Sequence, residues 1–332
     1  MKGILLINLG SPKDLELSSI KDYLQEFLSD ELVVDYPKLF RKILVNLIIV
    51  PIRSKKTKKA YSEIWTEKGS PLINTTIGLG KKVSSKANIP LEVAMRYQFP
   101  SIEEGMKNLK EQGCSDVFVI PLYPHYAMST TLTTEREVMR INQERKLNLN
   151  LSFIDPFYNE EDYLDSLTKI ITKHRQANSD YLLFSYHGIP NRHLLKTDPT
   201  GNHCLKAENC CDINSEAKPF CYKAQVVETS KLCANKLKLK ENEWGISFQS
   251  RIGPGWIQPF TDQELVKLAE DGIKRLDVVC PAFVIDNLET LEEMNMEGRE
   301  TFLNAGGESF NYIPCLNDED LFVSFLVNQA KK

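Results

Sequence analysis

Eight short apolar runs punctuate the chain, each followed by a stretch of helical character. GILLINL (3–9), LEVAMRY (91–97), DVFVIPL (116–122) and NLSFID (150–155) form a first group. DYLLFSY (180–186), WGISFQ (244–249), RLDVVC (275–280) and the weaker FNYI (310–313) form a second. Strands that read as nearly continuous apolar runs are buried on both faces, so the pattern predicts parallel sheets covered by helices. One helix is legible at both ends: SIEEGMKNLKEQ (101–112) opens on Ser101 with Glu104 three residues later and closes at Gly113. DEDLFVSFLVNQAKK at the end of the chain reads as an amphipathic helix.

A break near Asp155-Pro156 predicts an α/β architecture of two Rossmann-like domains, each a four-stranded parallel sheet flanked by helices. The expected boundaries are 1–155, 156–305 and a C-terminal strand and helix, 306–332, packing back on the core. In open α/β folds ligands sit at the carboxyl ends of the strands, which in a two-domain version places the site in a cleft between the halves.

Composition narrows the classes. Lys and Arg number 41 against 45 Asp and Glu, a net charge of −4, so nothing draws the chain to nucleic acid. No apolar run reaches the eighteen or so residues that span a bilayer, and the start lacks the apolar core and cleavage site of an export signal. A cytoplasmic protein, monomer or homodimer, is the expectation. In a reducing compartment, four of eight cysteines within HCLKAENCCDINSEAKPFC (203–221) point to metal or redox chemistry rather than to disulfides.

Several side chains with chemistry follow strands directly. His187 ends DYLLFSY-H-GIP, with Gly188 and Pro190 forcing a turn; a neutral imidazole accepts a proton near pH 7. Asp286 falls at a helix start in CPAFVIDNLETLEEM, and Glu289 and Glu293 lie four apart on one face. Such a row is either a solvated acidic face or, turned toward a cleft, a collector of protons or of a hard cation. AMRYQFPSI places Arg96 and Tyr97 after a strand, PLYPHYAMSTT does so for Tyr123, His125 and Tyr126, and FQSRIGPGWIQPFTD supplies Arg251 and Trp256. Aromatic and basic side chains on such loops suit a flat aromatic ligand bearing carboxylates.

The ordered set LGSP, IWTEKGSPL, MRYQFPSI, LYPHYAMSTT, SYHGIP, FQSRIGPGWIQPFTD and DNLET resembles the ferrochelatase family over most of the chain. The resemblance implies a lyase that inserts Fe(II), a substrate, into protoporphyrin IX with loss of two pyrrole protons. It implies His187 as the catalytic histidine and Glu289 as its partner acid, both beside the substrate iron. Asp286 and Glu293 would extend the acidic row as a proton or metal path. Arg96 and Tyr97 would form the opposite wall, with Tyr123, Trp256 and Phe283 lining the macrocycle. Asn287 departs from the pattern, since many members carry His or Cys there, and a relay through that position does not transfer. A chelatase for cobalt or nickel would show several ligating histidines, whereas only His125 and His187 fall in cleft-lining motifs here.

Four thiolates, Cys204, Cys210, Cys211 and Cys221, match the number that holds a [2Fe–2S] cluster. Zinc also takes four, but the adjacent Cys210-Cys211 fits poorly with a Cys-x2-Cys knuckle. Some ferrochelatases carry a [2Fe–2S] cluster, and vertebrate members draw three ligands from a C-terminal extension. This chain has no counterpart of that extension, and Met128 replaces the internal cysteine. The insertion 199–222 instead resembles that of a bacterial subset with all four ligands internal, which favours [2Fe–2S] over zinc. Cys114, Cys233, Cys280 and Cys315 read as buried small apolar residues.

FRKILVNLIIVPIRSKKTKK combines an apolar stretch, 43–52, with basic flanks. It is either a core helix with a solvated tail or a lip that dips into a membrane surface. The lip reading predicts peripheral attachment to the cytoplasmic membrane. It also favours protoporphyrin IX over the more acidic coproporphyrin III.

Overall fold

The computed structural model describes all 332 residues, Met1–Lys332. All eight apolar runs are strands: β1 (Lys2–Asn8), β2 (Leu91–Met95), β3 (Asp116–Pro121), β4 (Asn150–Phe153), β5 (Tyr181–His187), β6 (Trp244–Gln249), β7 (Arg275–Val279) and β8 (Ser309–Tyr312). They form two four-stranded sheets of order β2-β1-β3-β4 and β6-β5-β7-β8, in which every pairing is parallel. The two-sheet α/β expectation holds, because central strands such as ILLI (4–7) and LLF (182–184) are fully buried and leave no polar face.

The chain divides into two compact units. The first comprises Met1–Tyr123, Met128–Asp155 and Val323–Lys332; the second comprises Pro124–Ala127 and Pro156–Phe322. The C-terminal segment is therefore shared: β8 completes the second sheet, whereas the last ten residues belong to the first unit.

In the first unit, Leu5, Ile7, Ala94, Val117 and Val119 of the sheet pack against Ile102, Met106 and Leu109 and against Val138 and Ile141 of two covering helices. The capping box at Ser101 is present in full: the Glu104 amide donates to Ser101 Oγ, and Glu104 Oε2 accepts from the Ser101 amide at 3.0 Å. A corresponding core in the second unit joins Leu183, Leu276 and Val278 to Leu265, Leu268, Met294 and Phe302.

Two stretches depart from the sequence reading. Residues 38–64 form one continuous helical segment whose middle turn, Leu44–Ile49, is π-helical, but it is no core helix: Leu39, Leu47 and Ile52 are each more than 70% exposed. Lys42, Arg53, Lys55 and Lys56 beside them are also exposed, so apolar and basic side chains share one surface. The acidic stretch Glu289–Gly298 is π-helical rather than α-helical, a form found mostly as short bulges at functional sites. Its wider turn still leaves Glu289 and Glu293 about one turn apart.

Candidate active site

Strands β5 and β7 are neighbours in the second sheet, so the segments that leave their carboxyl ends emerge side by side. His187 is the last residue of β5, and the acidic π-helical stretch follows β7. The sequence reading set the imidazole and its partner acid together beside the substrate iron, in a cleft between the halves. They come from adjacent strands of one sheet.

The backbone around His187 is held from several directions. The Gly188 amide donates to the Gln249 carbonyl at 2.8 Å, and Tyr222 Oη donates to the His187 carbonyl at 2.9 Å. A Cβ on Gly188 would stand 2.9 Å from that Gln249 oxygen, so only glycine fits this turn without displacement. The loops HGIP and GPGWI are zipped together by Asn191 N to Gly255 O, Ile257 N to Ile189 O and a bridge between Pro190 and Trp256. Trp256 thereby lies over Gly188, and the Phe283 ring meets the imidazole edge-to-face at 6.2 Å.

The Nδ1 atom of His187 lies 2.6 Å from the Gly188 carbonyl oxygen. A carbonyl has no proton to give, so in the neutral imidazole Nδ1 carries the hydrogen and Nε2 keeps its lone pair. The arrangement presents a proton acceptor.

Glu293 is fixed by one residue. Ser250 gives both its amide, at 2.7 Å to Oε1, and its hydroxyl, to Oε2. Ser250 adopts φ +64°, a left-handed conformation that costs a non-glycine residue on the order of 1 kcal/mol. Burial raises the Glu293 carboxyl above the usual range; the Ser250 bonds and the neighbouring imidazole oppose this, and the charge of Glu289 adds to it. Gln249 Nε2 donates to the Glu289 carbonyl and its Oε1 accepts from Ser185, which joins β5, β6 and the start of the acidic helix.

Asp286 is differently placed. Its carboxylate accepts from Tyr312 Oη at 2.6 Å, Asn317 Nδ2 at 2.7 Å and Thr290 Oγ1 at 3.1 Å. These bonds occupy it as an anchor for the helix start, and no contact joins it to a proton row. Asn287 caps the same turn by accepting from the Thr290 amide. His125, read from sequence as cleft-lining, is buried in the second unit against the rings of Tyr158, Tyr186 and Tyr222, with Nε2 bonded to Thr229. Burial pushes its pKa down to about 3.

Arg96 and Tyr97 belong to a network in the first unit. Arg96 reaches Asp30 Oδ2 at 2.7 Å and Thr133 Oγ1 at 3.0 Å, and Tyr97 Oη donates to the same Asp30 oxygen at 2.9 Å. The guanidinium lies 4.5 Å from the centre of the Tyr97 ring. Both line a cavity of about 660 Å³ together with Glu26, Gln98, Arg136 and Arg140. The Tyr97 side chain is almost wholly buried, which limits what it can offer a ligand. Tyr123 is half-buried, and burial raises its hydroxyl above the ordinary phenol range. Asp30 and Tyr222 carried no sequence signal; Gln249 and Ser250 lay unselected inside the motif FQSR.

The insertion is ordered around its thiols. Cys204, Cys210 and Cys221 are buried and Cys211 is half-buried. Asp198 accepts from the amides of Thr200, His203 and Cys204, and His203 Nε2 meets the Cys210 carbonyl at 2.9 Å. The Cys211 thiol donates to Cys221 and brings its pKa down to about 6, helped against burial by the Ala224 amide, the Cys204 thiol and the Lys223 amide. Burial and the Cys221 charge push Cys204 up to about 12. No group of three or more His, Cys, Asp or Glu side chains stands at the spacing of a formed metal cage. Thiols sharing hydrogen bonds at a helix N-terminus nonetheless fit, in kind and number, a centre that takes several thiolates. Cys114, Cys233, Cys280 and Cys315 are buried, as read from sequence.

Two parallel four-stranded sheets, each flanked by helices, place the protein in a class of two-sheet α/β folds. SirB from Bacillus subtilis, solved with Fe3+, is similar with a TM-score of 0.56 at 12% identity, covering 99% of this chain and 94% of that one. CbiX, described as the terminal enzyme for biosynthesis of sirohaem in denitrifying bacteria, gives 0.51 at 9% identity over 99% and 98%. Identities this low show the fold alone.

The particular family comes from sequence. The model of the ferrochelatase family matches residues 1–332. A ferrochelatase of Stutzerimonas stutzeri is 44% identical over 100% of this chain and 98% of its own length, and one of Opitutus terrae is 43% identical over 99% and 97%. The chain belongs to the ferrochelatase family. Membership carries the reaction class of a porphyrin metal chelatase, a lyase that places iron in a porphyrin during haem biosynthesis.

Proposed function

We propose that the second unit carries the chemistry of inserting Fe(II) into protoporphyrin IX, with His187 as proton acceptor and Glu293 as the group that relays the proton. The observation that supports this is the fixed His187 tautomer, Nδ1 on the Gly188 carbonyl and Nε2 open, beside a half-buried carboxyl of raised pKa. A flat porphyrin turns its nitrogen lone pairs inward, and a metal reaches them only when the ring buckles. Binding energy gathered elsewhere on the macrocycle offsets that distortion. As Fe(II) enters, two N–H bonds break; Nε2 takes each pyrrole proton in turn and passes it to an ionised Glu293, which releases it to solvent before the next. Glu289 stands near the iron as partner acid, while Phe283 and Trp256 offer apolar surface beside the ring. Arg96, Tyr97 and Tyr123 are assigned to porphyrin contact, with Arg96 acting through its balanced pair with Asp30. His187→Ala tests the assignment: porphyrin should still bind, by fluorescence titration, while Fe(II) insertion fails. Ordinary turnover in that variant would end it.

The loop 199–222 is proposed to hold a [2Fe–2S] cluster through Cys204, Cys210, Cys211 and Cys221. Bound there, such a centre supplies a cross-link between loop and helix. Support comes from the hydrogen-bonded thiols at the head of the helix Tyr222–Lys236. Purified protein should be brown and contain two irons and two sulfides; one zinc and no colour would assign the loop to zinc.

The exposed side chains Leu39, Phe40, Ile43, Leu47, Ile48 and Ile52, with lysines beside them, suit an anionic membrane surface. No helix is long and apolar enough to cross a membrane. Leu47→Glu with Ile52→Glu should release the protein from vesicles containing anionic lipid.

A further inference from the structure

We propose that Tyr222 is a positioning residue through which the thiol loop holds His187 in its proton-accepting orientation. The inference rests on the reading of His187 and of loop 199–222 given above. Tyr222 follows Cys221 directly and opens the helix Tyr222–Lys236. Its ring is buried and meets His125 edge-to-face at 6.0 Å, and its hydroxyl donates to the His187 carbonyl at 2.9 Å.

That bond falls on a sensitive peptide. The 187–188 peptide plane is held at two atoms: its oxygen by Tyr222 and its nitrogen by the Gln249 carbonyl at 2.8 Å. The next carbonyl, that of Gly188, is the one that fixes the Nδ1 hydrogen of the imidazole. Release of the oxygen lets the plane turn about its remaining bond, and the Gly188 carbonyl turns with it. The imidazole then loses the partner that keeps Nε2 free.

At its other end Tyr222 is tied to the loop. The Cys221 carbonyl accepts from the Gln225 amide at 3.1 Å, so the first turn of the helix is built directly on the cysteine that precedes Tyr222. Gln225 binds the same segment by donating to the Pro219 carbonyl at 2.9 Å and accepting from the Tyr126 amide at 2.7 Å. A displacement of Cys221 therefore reaches the His187 carbonyl across one residue and one hydrogen bond. Misplacements on the scale of 1 Å are enough to cost catalysis heavily.

Tyr222→Phe keeps the ring against His125 and removes only the hydroxyl. The first readout is 15N histidine NMR of purified protein without substrate, the His187 signal being assigned by its loss in His187→Ala. The native protein should show the Nδ1–H tautomer alone, and Tyr222→Phe a mixture of both. The second is turnover: kcat should fall about tenfold with KM for porphyrin, absorption spectrum and metal content unchanged, and with melting lowered only by the one lost hydrogen bond. The third is coupling. Cys211→Ser should lower kcat in the native background and produce no further loss in Tyr222→Phe. An unaltered tautomer signal, an unaltered kcat, or losses that simply multiply would each overturn the proposal. Turnover surviving in His187→Ala would instead defeat the underlying reading, so the two failures are distinguishable.

Discussion

The edge strands β2 and β6 occupy the same place in their two sheets and leave them by the same route. After β2, Met95 N bonds to Pro100 O and Met95 bridges Ser101; after β6, Phe248 N bonds to Pro259 O and Phe248 bridges Phe260. Each excursion contains a left-handed residue, Gln98 at φ 69° or Ser250 at φ 64°, and a cis peptide before its proline. Each left-handed residue gives its amide and side chain to a carboxylate, Gln98 to Glu26 and Ser250 to Glu293, but the groups beside them differ. The first surrounds Asp30 with the Arg96 guanidinium and the hydroxyls of Tyr97 and Thr133. The second gives Glu293 only the amide and hydroxyl of Ser250, next to a titratable imidazole. The central strands repeat the contrast. β1 ends in Asn8, whose side chain is used by Leu9 N and Thr76, whereas β5 ends in His187. One backbone plan thus supports a charge-balanced cluster in one unit and an unbalanced acid beside a base in the other. Perturbed, unbalanced groups are where proton chemistry is available.

Substitutions should separate the two regions by what they damage. Glu293→Gln removes the proposed relay, and kcat should fall about 10²- to 10⁴-fold, the usual range for a lost acid–base group, with melting little changed. Asp30→Asn should do the reverse. It leaves the Arg96 charge largely buried and unpaired, at a cost of about 3 kcal/mol to folding, read from the urea midpoint. Equal effects on turnover and stability from both variants would erase the comparison.

His125 sharpens it from the side of the core. Its folded pKa, about 3, lies below the unfolded value. Above about pH 6.5 neither state is charged, and the native protein is not penalised. As pH falls from there toward 3, the unfolded chain takes up a proton that the native chain refuses, and stability drops by about 1.4 kcal/mol per pH unit. Urea midpoints at pH 7, 5.5 and 4.5 should show that slope, and His125→Phe should flatten it. An equal slope in the variant would place the acid sensitivity elsewhere.

The smallest effect belongs to Ser250. Both Ser250→Ala and Ser250→Gly lose the hydroxyl bond to Glu293, but only glycine relieves the left-handed backbone. The glycine variant should be the more stable by about 1 kcal/mol in thermal melts. Equal melting would show that the conformation carries no strain.

The parts visible in the sequence were those set by local physics. Apolar runs such as ILLI (4–7) gave strands within a residue or two, and the Ser101–Glu104 box gave a helix start, because burial pattern and capping act within a few residues. What stayed hidden depends on distant segments. Asp30 matters only because Arg96 and Thr133 fold onto it, and Tyr222 only because its helix starts under β5. His125 stands in one motif with Tyr123 and Tyr126, yet its ring turns into the aromatic core around Tyr186. The exposed apolar helix was ambiguous because a core helix and a surface lip share one composition, and only the fold assigns a face.

The central claim is that this chain metallates a porphyrin rather than merely holding it. An anaerobic assay of purified protein, with protoporphyrin IX and Fe(II) compared against Co(II), tests it most directly. Porphyrin fluorescence and a pH indicator would be followed together. Catalytic loss of fluorescence with Fe(II), accompanied by two protons released per ring, is the predicted result. Tight porphyrin binding with no metallation, or turnover with cobalt alone, would contradict it.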